Sequence, residues 1–352
     1  MKKFILIITS DSLKEAFTAF INKKQELGFA VTCITVESIN KMISGESATP
    51  VQIATKIKCY IHTRFNYNEL FYVILGGGYK EVPALDAERH SSRYVDRTGV
   101  PRTVEVFSPS DYKYTLDVDN NMKFVIGRFP VGESQDMANL CRLYVNYAPQ
   151  RNDKILIVSD DDDTASFVAE LQTILRGKQV TCLKKEGKLE DITTLTREIL
   201  NHSFILYTGH GNPLYWNYGQ LGTTDDGSQF FTESKISPMP RHPHICCWAC
   251  ATSCFSIKTD CIGVSFMKKG AMTYWGASYE TRQSVNRLMA KKMLEVVLRN
   301  PTISVGEAYY QVLQCPKVRQ QEKESYLLFG DPTLPFFPYR VYTILNFKLI
   351  KQ

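Results

Sequence analysis

The sequence predicts an α/β protein with mostly parallel sheets flanked by helices, arranged as two adjacent subdomains. Three observations carry this. Short apolar runs alternate with amphipathic stretches along nearly the whole chain, and such an order needs crossover connections that set strands side by side in parallel. The alternation restarts after a polar linker at 149–153. With 352 residues and 44% hydrophobic content, the chain can fill a core on each side of that linker. The expected division is 1–150, 151–340 and a short tail at 341–352.

The elements follow in order. Residues 4–9 are a first buried strand, 12–27 an amphipathic helix stopped by Gly28, 31–36 a strand, 50–63 a helix opening on Pro50, and 71–75 a strand. The turn Gly76-Gly77-Gly78 lacks the Lys-Ser/Thr and the spacing of a phosphate loop, so it reads as a tight turn. Residues 80–115 are polar with little periodicity and read as long surface loops or a hairpin. A strand at 123–126 and a helix at 134–147 end the first half. The second half runs strand 154–159, helix 164–176, strand 180–183 and helix 193–202. Strands then lead into His210 and into Cys250, a strand follows at 271–275, and helices at 285–299 and 305–313 close the unit.

Composition narrows the function classes. A net charge of +6 from 42 basic and 36 acidic residues, with no long Lys/Arg run, gives no reason to expect nucleic-acid binding. No uncharged apolar stretch reaches the ~18 residues a membrane helix needs, and the N-terminal apolar run is too short, and lacks a cleavage site, for a signal peptide. Ten cysteines suit a reducing compartment better than a disulfide scaffold, so a cytoplasmic protein is expected. Cys246, Cys247, Cys250 and Cys254 include a C-x-x-C that invites zinc, but no second pair stands at finger spacing. Buried thiols packing as small hydrophobes is the alternative for all but Cys250.

Two strand ends carry the chemistry. In Phe204-Ile-Leu-Tyr-Thr-Gly-His210 and His244-Ile-Cys-Cys-Trp-Ala-Cys250 an apolar run stops at a reactive side chain, and ligands of parallel α/β sheets sit at the carboxyl ends of the strands. A free thiol with pKa ~8.5 is mostly protonated at neutral pH, and an adjacent imidazole can take its proton. The pattern predicts a Cys250/His210 dyad.

Further segments sharpen this. Tyr207-Thr-Gly-His-Gly-Asn212, Leu221-Gly-Thr-Thr224 and Trp248-Ala-Cys-Ala251 resemble the catalytic segments of the gingipain-type cysteine peptidases, members of the caspase-like clan. Phe329-Gly-Asp-Pro-Thr-Leu334 resembles that family's C-terminal signature, and Phe124-Val-Ile-Gly-Arg-Phe-Pro130 the strand before its domain-joining helix. The resemblance spans roughly residues 1 to 340, with five segments in the family's order. It implies a caspase-like α/β fold, a cysteine endopeptidase with Cys250 as nucleophile and His210 as base and acid, and an oxyanion held by the N–H groups of Gly211 and Cys250. No cofactor is required.

The resemblance leaves several points open. The family's third catalytic member falls at Gly132, with Glu133 beside it; Glu133 orients His210, or it caps the following helix and the enzyme works as a dyad. Where arginine-specific members carry an acidic residue at the floor of the S1 pocket, this chain has Arg142, and Arg282 falls in the pocket wall. Both imply an acidic P1 residue, against the family's basic P1; two solvated arginines are the plain alternative. Asp160, Asp161 and Asp163 are a candidate structural calcium cluster, or helix-capping aspartates, or with Asp225 and Asp226 sites of self-processing in exposed loops. The sequence begins at its first strand and ends soon after the C-terminal signature, which suggests a regulated intracellular protease acting on protein or peptide and controlled by a partner or ligand. A catalytically silent interaction scaffold, and acyl transfer to an amine in place of water, remain as rivals.

Overall fold

In the computed structural model, the residues described are 2–43, 48–65, 69–86, 90–95, 101–106, 108–147, 154–160, 165–184, 190–219, 230–256 and 260–336. The first half supplies strands β1 (Lys2–Thr9), β2 (Phe29–Thr35), β3 (Glu69–Gly76) and β4 (Val125–Phe129). The second supplies β5 (Ile155–Ser159), β6 (Val180–Lys184), β7 (Phe204–Thr208), β8 (His244–Trp248), β9 (Thr273–Ala277) and β10 (Tyr326–Gly330). Together they form one ten-stranded sheet in the order β6-β5-β7-β8-β9-β10-β4-β3-β1-β2.

Strand burial explains the continuous apolar runs. In β1, Ile5, Leu6, Ile7 and Ile8 are all fully buried, as expected of a central parallel strand covered on both faces. Ile5 and Ile7 join Phe17, Phe20 and Met137 in one core, while Leu6 and Ile8 join Val36, Ile57 and Ile61 in the other. The first core lies under helices α1 (Thr18–Glu26) and α4 (Ser134–Asn146), the second under α2 (Val36–Met42) and α3 (Pro50–Arg64). The start of α3 is fixed by a capping box between Thr49 and Gln52 with Pro50 at the first turn. In the second half the flanking helices are α5 (Ala165–Ile174), α6 (Glu190–Asn201), α7 (Ile262–Lys268), α8 (Gln283–Arg299), α9 (Val305–Leu313) and α10 (Gln320–Ser325). Among the described residues, no helix is long and apolar enough to cross a membrane.

The seam between the halves positions the site. Strand β10 is antiparallel to β9, with Thr273 opposite Gly330 and Ala277 opposite Tyr326. It meets β4 through a single bridge of parallel pattern, Phe329 with Arg128. Away from that bridge the residues pass in opposite order: Gly127 lies against the Gly330 carbonyl and Pro332, while Val125 and Pro332 pack together on Gly306. The carboxyl ends of β3 and β4 thus reach the same edge as those of β7 and β8. Tyr79, just past β3, packs edge-on to Phe255 at 6.4 Å, and the Arg128 guanidinium covers the same ring at 4.4 Å. Phe255 is five residues past Cys250.

Two expectations are corrected. The 80–115 stretch is not all surface loop: besides an antiparallel hairpin of His90–Val95 with Pro101–Val106, it holds Val82, Ser108, Ser110, Asp111, Tyr112, Tyr114 and Thr115 buried beneath the seam. Several of their polar groups are paired inside the protein, as with Thr115 Oγ1 donating to the Tyr112 carbonyl at 2.7 Å, which periodicity does not register. The 12–27 helix begins instead as a 3-10 turn, Lys14–Phe17, before α1. Strand β10 was expected only as part of a sequence signature; five buried residues show no alternation to mark them.

Candidate active site

The histidine arm is set by a carboxylate on the neighbouring strand. Strand β7 is buried throughout and ends at Thr208, and Gly209 then turns the chain with φ +151°. A side chain at Gly209 would overlap the carboxylate of Asp160, which follows β5 directly. Asp160 is 7% exposed and its Oδ2 accepts the His210 backbone N–H at 2.7 Å. The Tyr207 hydroxyl lies 3.0 Å from the same oxygen and 2.5 Å from the His210 carbonyl. Burial holds the Tyr207 phenol well above its usual range, so it remains a donor. With its backbone clamped, His210 presents its side chain to solvent.

The cysteine arm is level with it. Strands β7 and β8 are parallel neighbours with Thr208 opposite Trp248, so His210 and Cys250 each stand two residues beyond the last pair. Gly211 packs against the Cys250 carbonyl, Ala249 and Thr252, so closely that a Cβ there would meet them at 3.1, 3.2 and 2.7 Å. The two strand-end loops are therefore in contact, with Gly211 beside the backbone of Cys250. Ala251 takes a left-handed φ of 55° and donates its N–H to the Tyr279 carbonyl at 2.9 Å, a strained turn of the kind that clusters at reactive sites. Cys250 is partly exposed, and its Sγ accepts the Thr281 N–H at 3.3 Å.

The other cysteines of the cluster differ. Cys246, Cys247 and Cys254 are buried, and burial pushes the Cys246 thiol well up and the Cys247 thiol to about 12. Buried thiols of this kind pack as small hydrophobes.

The remaining expected residues fall in different places. Glu133 occupies the N-cap position of α4, exposed, without a side-chain capping hydrogen bond. Arg142 is exposed on α4, whose inward face is Met137, Leu140, Cys141 and Tyr144, and it makes no hydrogen bond or ion pair among the described residues. Arg282 follows Thr281, occupies the N-cap position of α8 without a side-chain capping hydrogen bond, and pairs through Nε with Glu322 Oε1 at 3.3 Å. Glu322 is 4% exposed. Asp160 is buried, with its Oδ2 engaged by the histidine arm. Asp161, Asp163, Asp225 and Asp226 lie outside the described residues, as does the 221–224 segment.

The sequence reading missed Asp160 as the clamp of His210, though its place at a strand end on the same edge was a usable signal. Charge-assisted hydrogen bonds contribute roughly 1.5–3 kcal/mol. Asp160→Ala is accordingly expected to lower kcat by about tenfold to a hundredfold with a smaller change in KM; an unchanged kcat would show that the clamp is dispensable.

Comparison with known proteins gives the context. A sequence model described as peptidase family C25 matches residues 2–337. No curated protein sequence matches the chain. Among solved structures, the complex of the Porphyromonas gingivalis RgpB pro- and mature domains superposes with a TM-score of 0.71 at 17% identity, covering 95% of this chain and 79% of that one. A structure described only as a protease gives a TM-score of 0.72 at 14% identity, covering 95% and 78%. At these identities the two structures establish the shared fold, and the caspase-like expectation holds.

Proposed function

The chain belongs to peptidase family C25, the gingipain family, and is a cysteine-type endopeptidase; we propose that it works through Cys250 as nucleophile and His210 as general base and acid. The observation that carries this is the contact of the two strand-end loops, each reactive residue standing two positions past the Thr208 and Trp248 pair. His210 takes the proton of Cys250 as the sulfur attacks the scissile carbonyl carbon. The resulting oxyanion is held by the N–H groups of Gly211 and Cys250, donors whose loss typically costs about 3 kcal/mol. His210 then protonates the leaving amine, the C–N bond breaks, and a thioester remains. Water, deprotonated by His210, attacks the thioester and releases the acid and the thiol. Glu133, exposed at the N-cap of α4, is the proposed orienter of His210.

The same proposal includes an acidic P1 preference. Arg282 is the supporting residue: it adjoins Thr281, whose N–H lies on the Cys250 sulfur, and its guanidinium is partly exposed while Nε is held by Glu322. The free edge of the fork suits a carboxylate. Arg142, lying off the inward face of α4, supports this less than the sequence suggested. Reporter peptides ending in Asp, Glu, Lys or Arg test the point. Faster hydrolysis after Asp or Glu is expected; faster hydrolysis after Lys or Arg would overturn the preference and make Glu322 the pocket's anion. Hydrolysis of none of the four would favour the silent scaffold. Control by a protein partner, self-processing, and a reducing compartment, the cytoplasm, belong to the same reading, the last supported by ten free thiols.

A further inference from the structure

The sulfur of Cys250 sits in a small hydrogen-bonding frame built by a loop from the next strand. After β9 the chain runs alongside the Cys250 turn, tied to it by the Ser253 N–H on the Ala277 carbonyl at 2.8 Å and the Ala251 N–H on the Tyr279 carbonyl at 2.9 Å. Ser278 anchors the other side, donating its N–H to the Ser325 carbonyl at 2.7 Å, with its hydroxyl 2.9 Å from that of Ser108. The loop therefore delivers Thr281 to the sulfur from a fixed direction. Its N–H lies 3.3 Å from Sγ, its hydroxyl oxygen 3.7 Å and its carbonyl oxygen 3.6 Å.

Behind Thr281 stands a second layer. Asn286, in the first turn of α8, is 4% exposed. Its Nδ2 donates to Thr281 Oγ1 at 2.9 Å and to the Trp248 carbonyl at 3.2 Å, while its Oδ1 accepts the Tyr326 hydroxyl at 2.6 Å. Each half of the amide is thus matched to a partner of one polarity. Flipping it would set Oδ1 against the Trp248 carbonyl. Burial holds the Tyr326 phenol well above its usual range, so it stays a donor to Oδ1. Because Thr281 Oγ1 accepts from Asn286, its own proton is left to turn toward the sulfur.

We infer that Thr281 is a positioning residue that supports the negative charge the Cys250 sulfur gains when His210 takes its proton, through two donors, its N–H and its hydroxyl, with Asn286 and Tyr326 fixing the direction of the hydroxyl. Donors aimed at an ionisable group favour its charged form, and a thiolate gains from both. The frame lies on the side of β9 and α8, whereas the Gly211 arm reaches Cys250 from β7, so two neighbouring strands supply separate supports. This inference rests on the reading of Cys250 as the nucleophile.

The test is the pH dependence of Cys250 alkylation by iodoacetamide, followed on the Cys250 peptide by mass spectrometry because nine other cysteines are present, together with kcat/KM on the reporter peptides. Thr281→Val keeps the volume and the N–H but removes the hydroxyl. The pH of half-maximal alkylation is expected to rise by about one unit, with kcat/KM at neutral pH falling about tenfold. Thr281→Ser restores both. Tyr326→Phe, which removes only the hydroxyl that fixes the amide, is expected to shift the midpoint the same way by less, and serves if Thr281→Val fails to fold. If wild-type Cys250 alkylates below the range of an ordinary thiol and neither variant moves the midpoint, the inference falls and the nucleophile reading stands. If wild-type Cys250 alkylates as an ordinary thiol and Cys250→Ala still hydrolyses peptide, both fall.

Discussion

Cys250→Ala is expected to abolish peptide hydrolysis, and His210→Ala to lower kcat/KM by about 10²–10⁴-fold, with the double variant no worse than Cys250→Ala alone. The difference in magnitude follows from the roles. Without the sulfur no acyl-enzyme forms, and nothing else among the described residues at this edge presents a partly exposed thiol beside the Gly211 loop. Without the imidazole the thiol still exists, and what is lost is proton transfer in both half-reactions, a contribution of roughly 10²–10⁴. Residues that act as one unit are not additive, because the second has nothing left to assist once the first is gone. The measurements are hydrolysis of the reporter peptides, the mass of a trapped thioester, and alkylation of Cys250. Wild-type activity in Cys250→Ala would sink Cys250 as the nucleophile, whereas no hydrolysis by the wild type together with Cys250 labelling indifferent to His210→Ala would leave an interaction scaffold as the better account.

Much of this site was legible in the sequence, and the physical reason lies in the strands. An apolar run such as Phe204–Thr208 or His244–Trp248 is buried because both faces of a central parallel strand are covered. The first reactive side chain after such a run must then emerge at the carboxyl edge. Pairing two such strands brought His210 and Cys250 level, and the family resemblance supplied their roles. Long-range polar contacts were not legible in this way. Thr281 reaches the sulfur, and Asn286 reaches Thr281, across a strand connection, and nothing in Ser-Tyr-Glu-Thr-Arg-Gln distinguishes a buried donor from a surface loop. Four consecutive aspartates looked solvated, although the first of them still follows the inward course of β5. The helix period itself, with Met137, Leu140, Cys141 and Tyr144 inward, sets position 142 off the buried face.

The seam between the two halves predicts the largest loss of stability. Arg128 is fully buried, and its Nε and Nη2 meet Asp111 Oδ2 and Oδ1 at 2.8 and 2.7 Å, a bidentate fork. Its Nη1 donates to the Gly77 and Val82 carbonyls at 2.7 and 2.9 Å, which ties the end of β3 to β4. Asp111→Ala strands the guanidinium without a counter-charge in the interior, and breaking a buried pair in this way costs about 3–5 kcal/mol. Removing both charges, as in Arg128→Met with Asp111→Ala, is expected to cost less than Asp111→Ala alone, since no uncompensated charge remains. Urea titration of the three proteins distinguishes this from a simple packing defect; a loss below about 1 kcal/mol in Asp111→Ala would mean that solvent or another group shields Arg128. The same change reaches the active site. Arg128 covers Phe255, five residues past the nucleophile, and Phe255 in turn packs on Phe329 at 5.8 Å and on Tyr79 at 6.4 Å. The strand that carries the Gly-Arg signature therefore supports the Cys250 loop through a ring contact. Asp111→Ala should lower kcat under conditions where the protein is still folded, and the double variant should recover stability before it recovers rate, because Arg128→Met removes the buried charge but also the guanidinium stacked on Phe255.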